Sequence, residues 1–188
     1  GLGDVYKRQT LHRLELSHPE LAPSDRYKRI ALEGGEVDDL FMTLFIEAHD
    51  EAPEEVILDF DATDDRVHGD QQGRFYHGYY DHYCYMPLYV FAGDHLLAAR
   101  LRTADRDGAD GTLDELERIV PRIREAWPDT RIIVRGDSGF CREWLMAWCE
   151  EQSVEYVLGI AKNSRLVEAV AEELEEARLI CERTDRAT

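Results

Sequence analysis

Leu58-Asp59-Phe60-Asp61-Ala62-Thr63-Asp64-Asp65 decides how this chain is read, together with a second stretch, Arg135-Gly136-Asp137-Ser138-Gly139-Phe140. Each follows a short aliphatic run, Val56-Ile57-Leu58 in one case and Ile132-Ile133-Val134 in the other. Such runs are the pattern of buried strands. Carboxylates at the ends of buried strands are costly unless they are paired or bind a cation. Two such ends in one chain point to one shared metal site, and so to phosphoryl-transfer chemistry.

The chain has 188 residues, 44% of them hydrophobic and 10% aromatic, which suits one globular core with at most a small appendage. No apolar run approaches the roughly 20 residues needed to span a bilayer, and no signal peptide is visible. Cys84, Cys141, Cys149 and Cys181 show neither a CxxC spacing nor a paired pattern, so a reduced, cytoplasmic chain is expected. The net charge of −18 argues, taken alone, against nucleic acid, because phosphate contacts need Lys and Arg. The acidity is uneven. Residues 36–65 and 150–176 are acid-rich, whereas Arg100, Arg102, Arg106, Arg118, Arg122, Arg124, Arg131, Arg135 and Arg142 lie between them. Either a local basic face or an acidic bulk with scattered arginines fits that distribution.

Gly1 to Gln9 lacks an initiator Met and reads as a non-native, adapter-derived tail, residues 1–9. Residues 10–50 read as a helical segment that precedes the core. Ser24-Asp25 caps a short helix to about Glu33, which Gly34-Gly35 stops, and Val37 to His49 forms a second helix with Leu40/Leu44 and Phe41/Phe45 at i, i+4. Pro53 breaks it. Residues 55–63 form the first strand, His68 to Gly78 a loop, Tyr79 to Ala92 a strand, and His95 to Thr103 another after the Gly93-Asp94 turn. In this last strand Arg100 and Arg102 take one face, and Leu97, Ala99 and Leu101 the other. Thr112 caps a helix through about Trp127, with Leu113, Leu116, Ile119, Val120 and Ile123 on its apolar side. Thr130 to Val134 is a strand, Glu143 to Glu151 a helix, Tyr156 to Ile160 a strand, and Ser164 to about Cys181 an amphipathic helix. The chain stops in a charged segment, Glu182 to Thr188, and reads as an internal fragment truncated at the C-terminus.

The order β-β-β-α-β-α-β-α is that of the RNase H-like α/β fold, a mixed sheet with three antiparallel strands followed by parallel βαβ units. In that arrangement the ends of the strands carrying Asp61 and Asp137 lie side by side. Residues 51–188 are therefore expected to be a partial domain of this fold. The two carboxylates would hold Mg²⁺ or Mn²⁺ about 3.5–4 Å from a second ion, one activating a water or 3′-hydroxyl and the other stabilising the leaving oxygen. Two carboxylates are too few for a secure metal pair, so a third acid is required.

The stretch from Val56 to Arg165 resembles the catalytic core of DDE transposases, specifically the insertion-sequence family numbered 1380. The resemblance rests on LDFDATDD (58–65), GRFYHGYYDHYCYMPLYVF (73–91), RGDSGF (135–140) and YVLGIAKNSRL (156–166). It implies that Asp61 and Asp137 are catalytic metal ligands, with a third ligand, a Glu, on a later helix beyond a long insertion. Nothing in this chain matches that segment, so the third ligand stays unassigned and the fragment alone is expected to be inactive. The resemblance also implies strand cleavage and strand transfer on DNA, with transposon ends and target as partners. It further implies a homo-oligomer in the full-length protein, no membrane, and a cytoplasmic, nucleoid-associated location in bacteria.

Other readings compete for the same residues. Asp59-Phe60-Asp61-Ala62-Thr63 fits the D-x-D-x-T motif of haloacid-dehalogenase-like phosphatases, with Asp59 as nucleophile and Asp61 as acid/base. A non-catalytic remnant is a further possibility. Asp59, Asp64 or Asp65 could exchange roles with Asp61. Gly136-Asp137-Ser138-Gly139 is similar to a serine-protease nucleophile loop, which the α/β order rules against. His77, His82 and Cys84 could be imagined as zinc ligands, but strand alternation already explains them. His68 could approach the metal site, and Arg135 and Arg142 could contact phosphate. The aromatic block Phe75, Tyr76, Tyr79, Tyr80, Tyr83, Tyr85 and Tyr89 could stack on bases, although hairpin packing is the simpler account. Ser138 reads as a helix-capping hydroxyl, and Trp144 and Trp148 as core.

Overall fold

The computed structural model describes residues 34–184. The tail 1–9, the short helix from Ser24 to Glu33 and residues 185–188 lie outside the described residues. Helix α1 (Gly34–Glu47) leads into β1 (Glu55–Ala62), followed by β2 (Asp65–Arg66), β3 (Phe75–His77), β4 (His82–Tyr85), β5 (Leu88–Ala92) and β6 (His95–Arg100). Helix α2 (Thr112–Ala126), β7 (Arg131–Gly136), α3 (Glu143–Glu151), β8 (Glu155–Leu158), α4 (Ser164–Ala169) and α5 (Ala171–Thr184) complete the order.

The main sheet runs β6-β5-β1-β7-β8. β1, β5 and β6 pair antiparallel, while β7 and β8 continue the sheet parallel to β1. The expected mixed sheet is therefore present, with parallel strands joined through helices. Successive crossovers in one direction put α2 and α3 on the same face. There Leu116, Ile119, Val120, Ile123, Leu145 and Cys149 pack with Val56, Leu58, Phe60, Ile132 and Val134. Alternation along β1 sends Asp59 and Asp61 to the opposite face.

Several local expectations are corrected. Residues 79–92 are not one strand. They divide into β4, which belongs to a second sheet of order β2-β4-β3, and β5 of the main sheet. Part of the expected loop 68–78 is the strand β3. An aromatic, alternating run satisfies either sheet, so sequence periodicity does not reveal the break. Arg100 does not oppose the buried face of β6. A register shift between Val90 and Phe91 leaves Leu97 and Ala98 both fully buried, after which Ala99 is exposed and Leu101 is 70% exposed. The bulge turns Arg100 inward. There it meets Asp38 of α1 at 2.7 and 2.6 Å and Glu115 of α2 at 2.5 Å, and Glu115 also bonds Arg118.

Gly34 and Gly35 are the first residues of α1, and Leu40 and Leu44 are exposed while Met42 and Phe45 are core. The cap of α2 is Gly111 in the left-handed region (φ 79°), not Thr112, whose buried hydroxyl has no hydrogen-bond partner among the described residues. The expected single helix from Ser164 is two helices separated at Val170, with Leu166, Val170 and Leu174 exposed. No helix among the described residues is long and apolar enough to cross a membrane.

Candidate metal centre

β1 and β7 are held in parallel register from Glu55↔Arg131 to Phe60↔Gly136. Asp61 and Asp137 are the residues that follow this last pair, so they emerge at the same end of neighbouring strands. Both are exposed. The loop after β7 is built around Asp137. Its Oδ1 accepts the Gly139 N–H at 2.8 Å, and its carbonyl accepts the Phe140 N–H at 3.1 Å. Phe140 is buried at 1% exposure and faces Phe60 with ring centroids 6.0 Å apart, which anchors the loop in the core beneath β1. A Cβ on Gly136 would lie 3.0 Å from the Phe140 side chain, so the glycine lets that ring fold back under the strand.

Gly159, just past β8, completes the cradle. Its N–H donates to the Gly136 carbonyl at 2.9 Å. A Cβ at this position would sit 2.9 Å from the Ser138 nitrogen and 3.1 Å from the Asp137 carbonyl carbon. Sequence reasoning missed this residue; a glycine directly after a strand is the signal for close backbone approach.

The neighbouring acids are already engaged. Asp59 forms a two-pronged ion pair with Arg135, its partner in the parallel ladder. Asp64 Oδ2 lies 2.7 Å from His82 Nε2. Asp65 is exposed in β2 opposite Tyr85. Asp61 makes no hydrogen bond or ion pair among the described residues, which leaves its carboxylate available. An Asp59 locked to a guanidinium does not suit a phosphatase nucleophile. Burial first, then the charges of Asp64, Tyr79, Asp61 and Asp137, push the Tyr80 phenol above the ordinary value.

Carboxylate oxygens suit a hard divalent cation that keeps several waters. The Asp61–Asp137 pair fits part of such a shell. Among the described residues no three His, Cys, Asp or Glu side chains are grouped to hold a metal ion. This also removes His77, His82 and Cys84 as a zinc set. His82 is taken by Asp64, and burial, then Asp64 and Asp65, push the Cys84 thiol up and favour its protonated form.

The arginines between the two motifs do not form a free basic face. Arg100, Arg106, Arg118, Arg122, Arg131, Arg135 and Arg142 each pair with a carboxylate. Arg102 and Arg124 donate to backbone carbonyls. Arg142, one of the expected phosphate contacts, holds Asp107 at 2.8 Å instead. Ser138 does not cap α3, whose N-cap is Arg142. Trp144 is 41% exposed and not core, whereas Trp148 packs against the core.

The chain is thus a mixed α/β domain with two carboxylates at one end of adjacent parallel strands. Residues 8–186 match the family model described as "Transposase DDE domain group 1". The chain belongs to this family. It is similar to a solved piggyBac transposase in a synaptic complex with hairpin DNA, at 14% identity and a TM-score of 0.42, covering 73% of this chain and 29% of that one. It is also similar to the Mos1 transposase in a paired-end complex with the left transposon end, at 11% identity and a TM-score of 0.38, covering 93% of this chain and 62% of that one. The chain thus spans less than two thirds of the length of either protein. No curated protein matches it.

Proposed function

We propose that this chain supplies two of the three acidic metal ligands, Asp61 and Asp137, of a DDE transposase of the insertion-sequence family numbered 1380. The observation that carries the reading is the parallel pair Phe60↔Gly136, which directs the two following aspartates to one end of the sheet. Family membership supports transposase chemistry, and DNA (transposon ends and target) is the proposed substrate.

In this reading Asp61 contributes a carboxylate with no competing partner. Asp137 contributes one oriented by the Gly139 N–H, with Oδ2 left for coordination. Mg²⁺ or Mn²⁺ bound here would polarise a phosphate oxygen and acidify a bound water or 3′-hydroxyl. Hydrolysis breaks a P–O3′ bond at the element end and frees a 3′-hydroxyl. Attack of that hydroxyl on a target phosphodiester forms a new P–O bond and releases a target 3′-hydroxyl. The third acid, which the sequence resemblance assigns to a later helix, is not proposed from any described residue.

The test is a strand-cleavage assay on duplexes carrying the element's terminal repeats, using protein from the full reading frame that contains this chain. Asp61→Asn and Asp137→Asn should each abolish metal-dependent nicking. Nicking that survives both substitutions overturns the proposal.

A further inference from the structure

We propose that Tyr79 is a stacking platform for an unpaired nucleobase at the rim of the Asp61–Asp137 site. The inference rests on reading that site as one for DNA phosphoryl transfer. Tyr79 lies at the tip of the β3–β4 hairpin, where Asp81 takes a left-handed conformation (φ 56°) and its N–H bonds the His77 carbonyl at 2.9 Å. The tip is braced from several sides. His82 is fixed by Asp64, His77 lies against Tyr80 with centroids 4.9 Å apart, and the Tyr76 hydroxyl donates to Asp81. Tyr80 packs against the small core of Cys84, Met86 and Ala104, and Ala62, the residue that follows Asp61 in β1, packs against the same core. The hairpin tip therefore overlooks the carboxylates.

Tyr79 stands edge-on to Tyr80, with centroids 5.0 Å apart and planes at 87°, yet it is 85% exposed. A large aromatic ring held on a braced turn and offered to solvent loses little freedom when a flat apolar group covers it. The chemistry of the surroundings selects which group. Phosphate oxygens are repelled by Asp64 and Asp81, and the arginines of residues 100–142 are occupied by carboxylates and carbonyls. A neutral base, whose π-face stacks irrespective of sequence, suffers neither penalty.

Fluorescence anisotropy in Mg²⁺ at low ionic strength tests this with two probes, a short oligothymidylate and a strand of equal length built from abasic residues. Both carry the same phosphates, but only one carries bases. Tyr79→Ala should weaken oligothymidylate binding about tenfold and leave the abasic strand unchanged, while Tyr79→Trp should retain the parental affinity. The platform is overturned if Tyr79→Ala binds both strands like the parent, weakens both equally, or if the parent does not prefer the strand with bases. Mn²⁺ binding measured on the same preparations separates the two ideas. Loss of stacking with Mn²⁺ binding intact removes only the platform, whereas absence of Mn²⁺ binding in the parent removes the metal-site reading beneath it.

Discussion

Phe60 and Gly136 are partners in the last registered pair of the β1–β7 parallel ladder, and each is followed directly by an aspartate. Core packing of Phe60 and the turn beginning at Gly136 thereby bring two carboxylates to the same end of the sheet. The expected consequences concern the cradle, the inward arginine and the loop beside α3.

Gly159→Ala should act on Asp137 without unfolding the chain. The added methyl would approach the Ser138 nitrogen to 2.9 Å, so the Asp137–Ser138 peptide must move. Overpacking of this kind costs about 1–3 kcal/mol. Thermal melts should show that modest loss, and Mn²⁺ affinity should fall several-fold. Unchanged affinity alongside a lowered melting temperature would show that Gly159 serves packing alone.

Phe140→Ala removes the anchor of the same loop. A fully buried phenylalanine cut to alanine costs about 3–5 kcal/mol, and this ring is buried and packs on Phe60. Urea denaturation should register the loss with little change in slope. A cost below about 1 kcal/mol would contradict the packing described.

Arg100→Met should destabilise the junction of α1, β6 and α2. Asp38 and Glu115 would be left with side-chain exposures of only 12% and 5% and without their shared guanidinium. Breaking a buried ion pair by removing one partner costs about 3–5 kcal/mol. Arg100 is itself 34% exposed, so solvent screening lowers the expected value to about 2–3 kcal/mol. Adding Asp38→Asn to Arg100→Met should recover part of it, measured as a double-mutant cycle, because Glu115 keeps Arg118 whereas Asp38 loses its guanidinium.

The Arg142 guanidinium beside Asp107 holds its carboxyl below the ordinary value of 3.8, with the Ala109 N–H acting in the same direction against partial burial. A carboxyl depressed in the folded state adds stability above its unfolded pKa and loses it as the pH falls through the folded value. Asp107→Asn should therefore melt earlier than the parent at pH 7, and the gap should close as the pH drops below 3.8. A gap that persists undiminished in acid would exclude Asp107 ionisation as its source.

The strands that matter most were legible because their sequences are unambiguous. Val56-Ile57-Leu58 and Ile132-Ile133-Val134 have no use outside a buried sheet, and an aspartate soon after each marks where the sheet meets water. The β3–β4 hairpin was hidden because alternating tyrosines suit either of two sheets. The inward turn of Arg100 depends on a bulge between Val90 and Phe91 that only tertiary pairing creates. The arginines left a basic face and scattered positions equally open because several partners, Asp38, Asp39, Glu55 and Asp59, lie far away in sequence. At the site, Asp61 and Asp137 were legible as residue types in a pattern. Gly159 and the Asp64–His82 pair were not, since both matter through contacts across the fold.

Mn²⁺ binding to this chain, followed by the loss of the free-ion electron paramagnetic resonance signal, tests the central claim most directly. The parent should bind weakly, with a dissociation constant on the order of 10⁻⁴–10⁻³ M as befits a site with few carboxylates. Asp61→Asn and Asp137→Asn should each weaken binding at least about tenfold, with metal-free melting curves showing that both variants remain folded. Parent and variants that bind Mn²⁺ alike would contradict the assignment of these two aspartates.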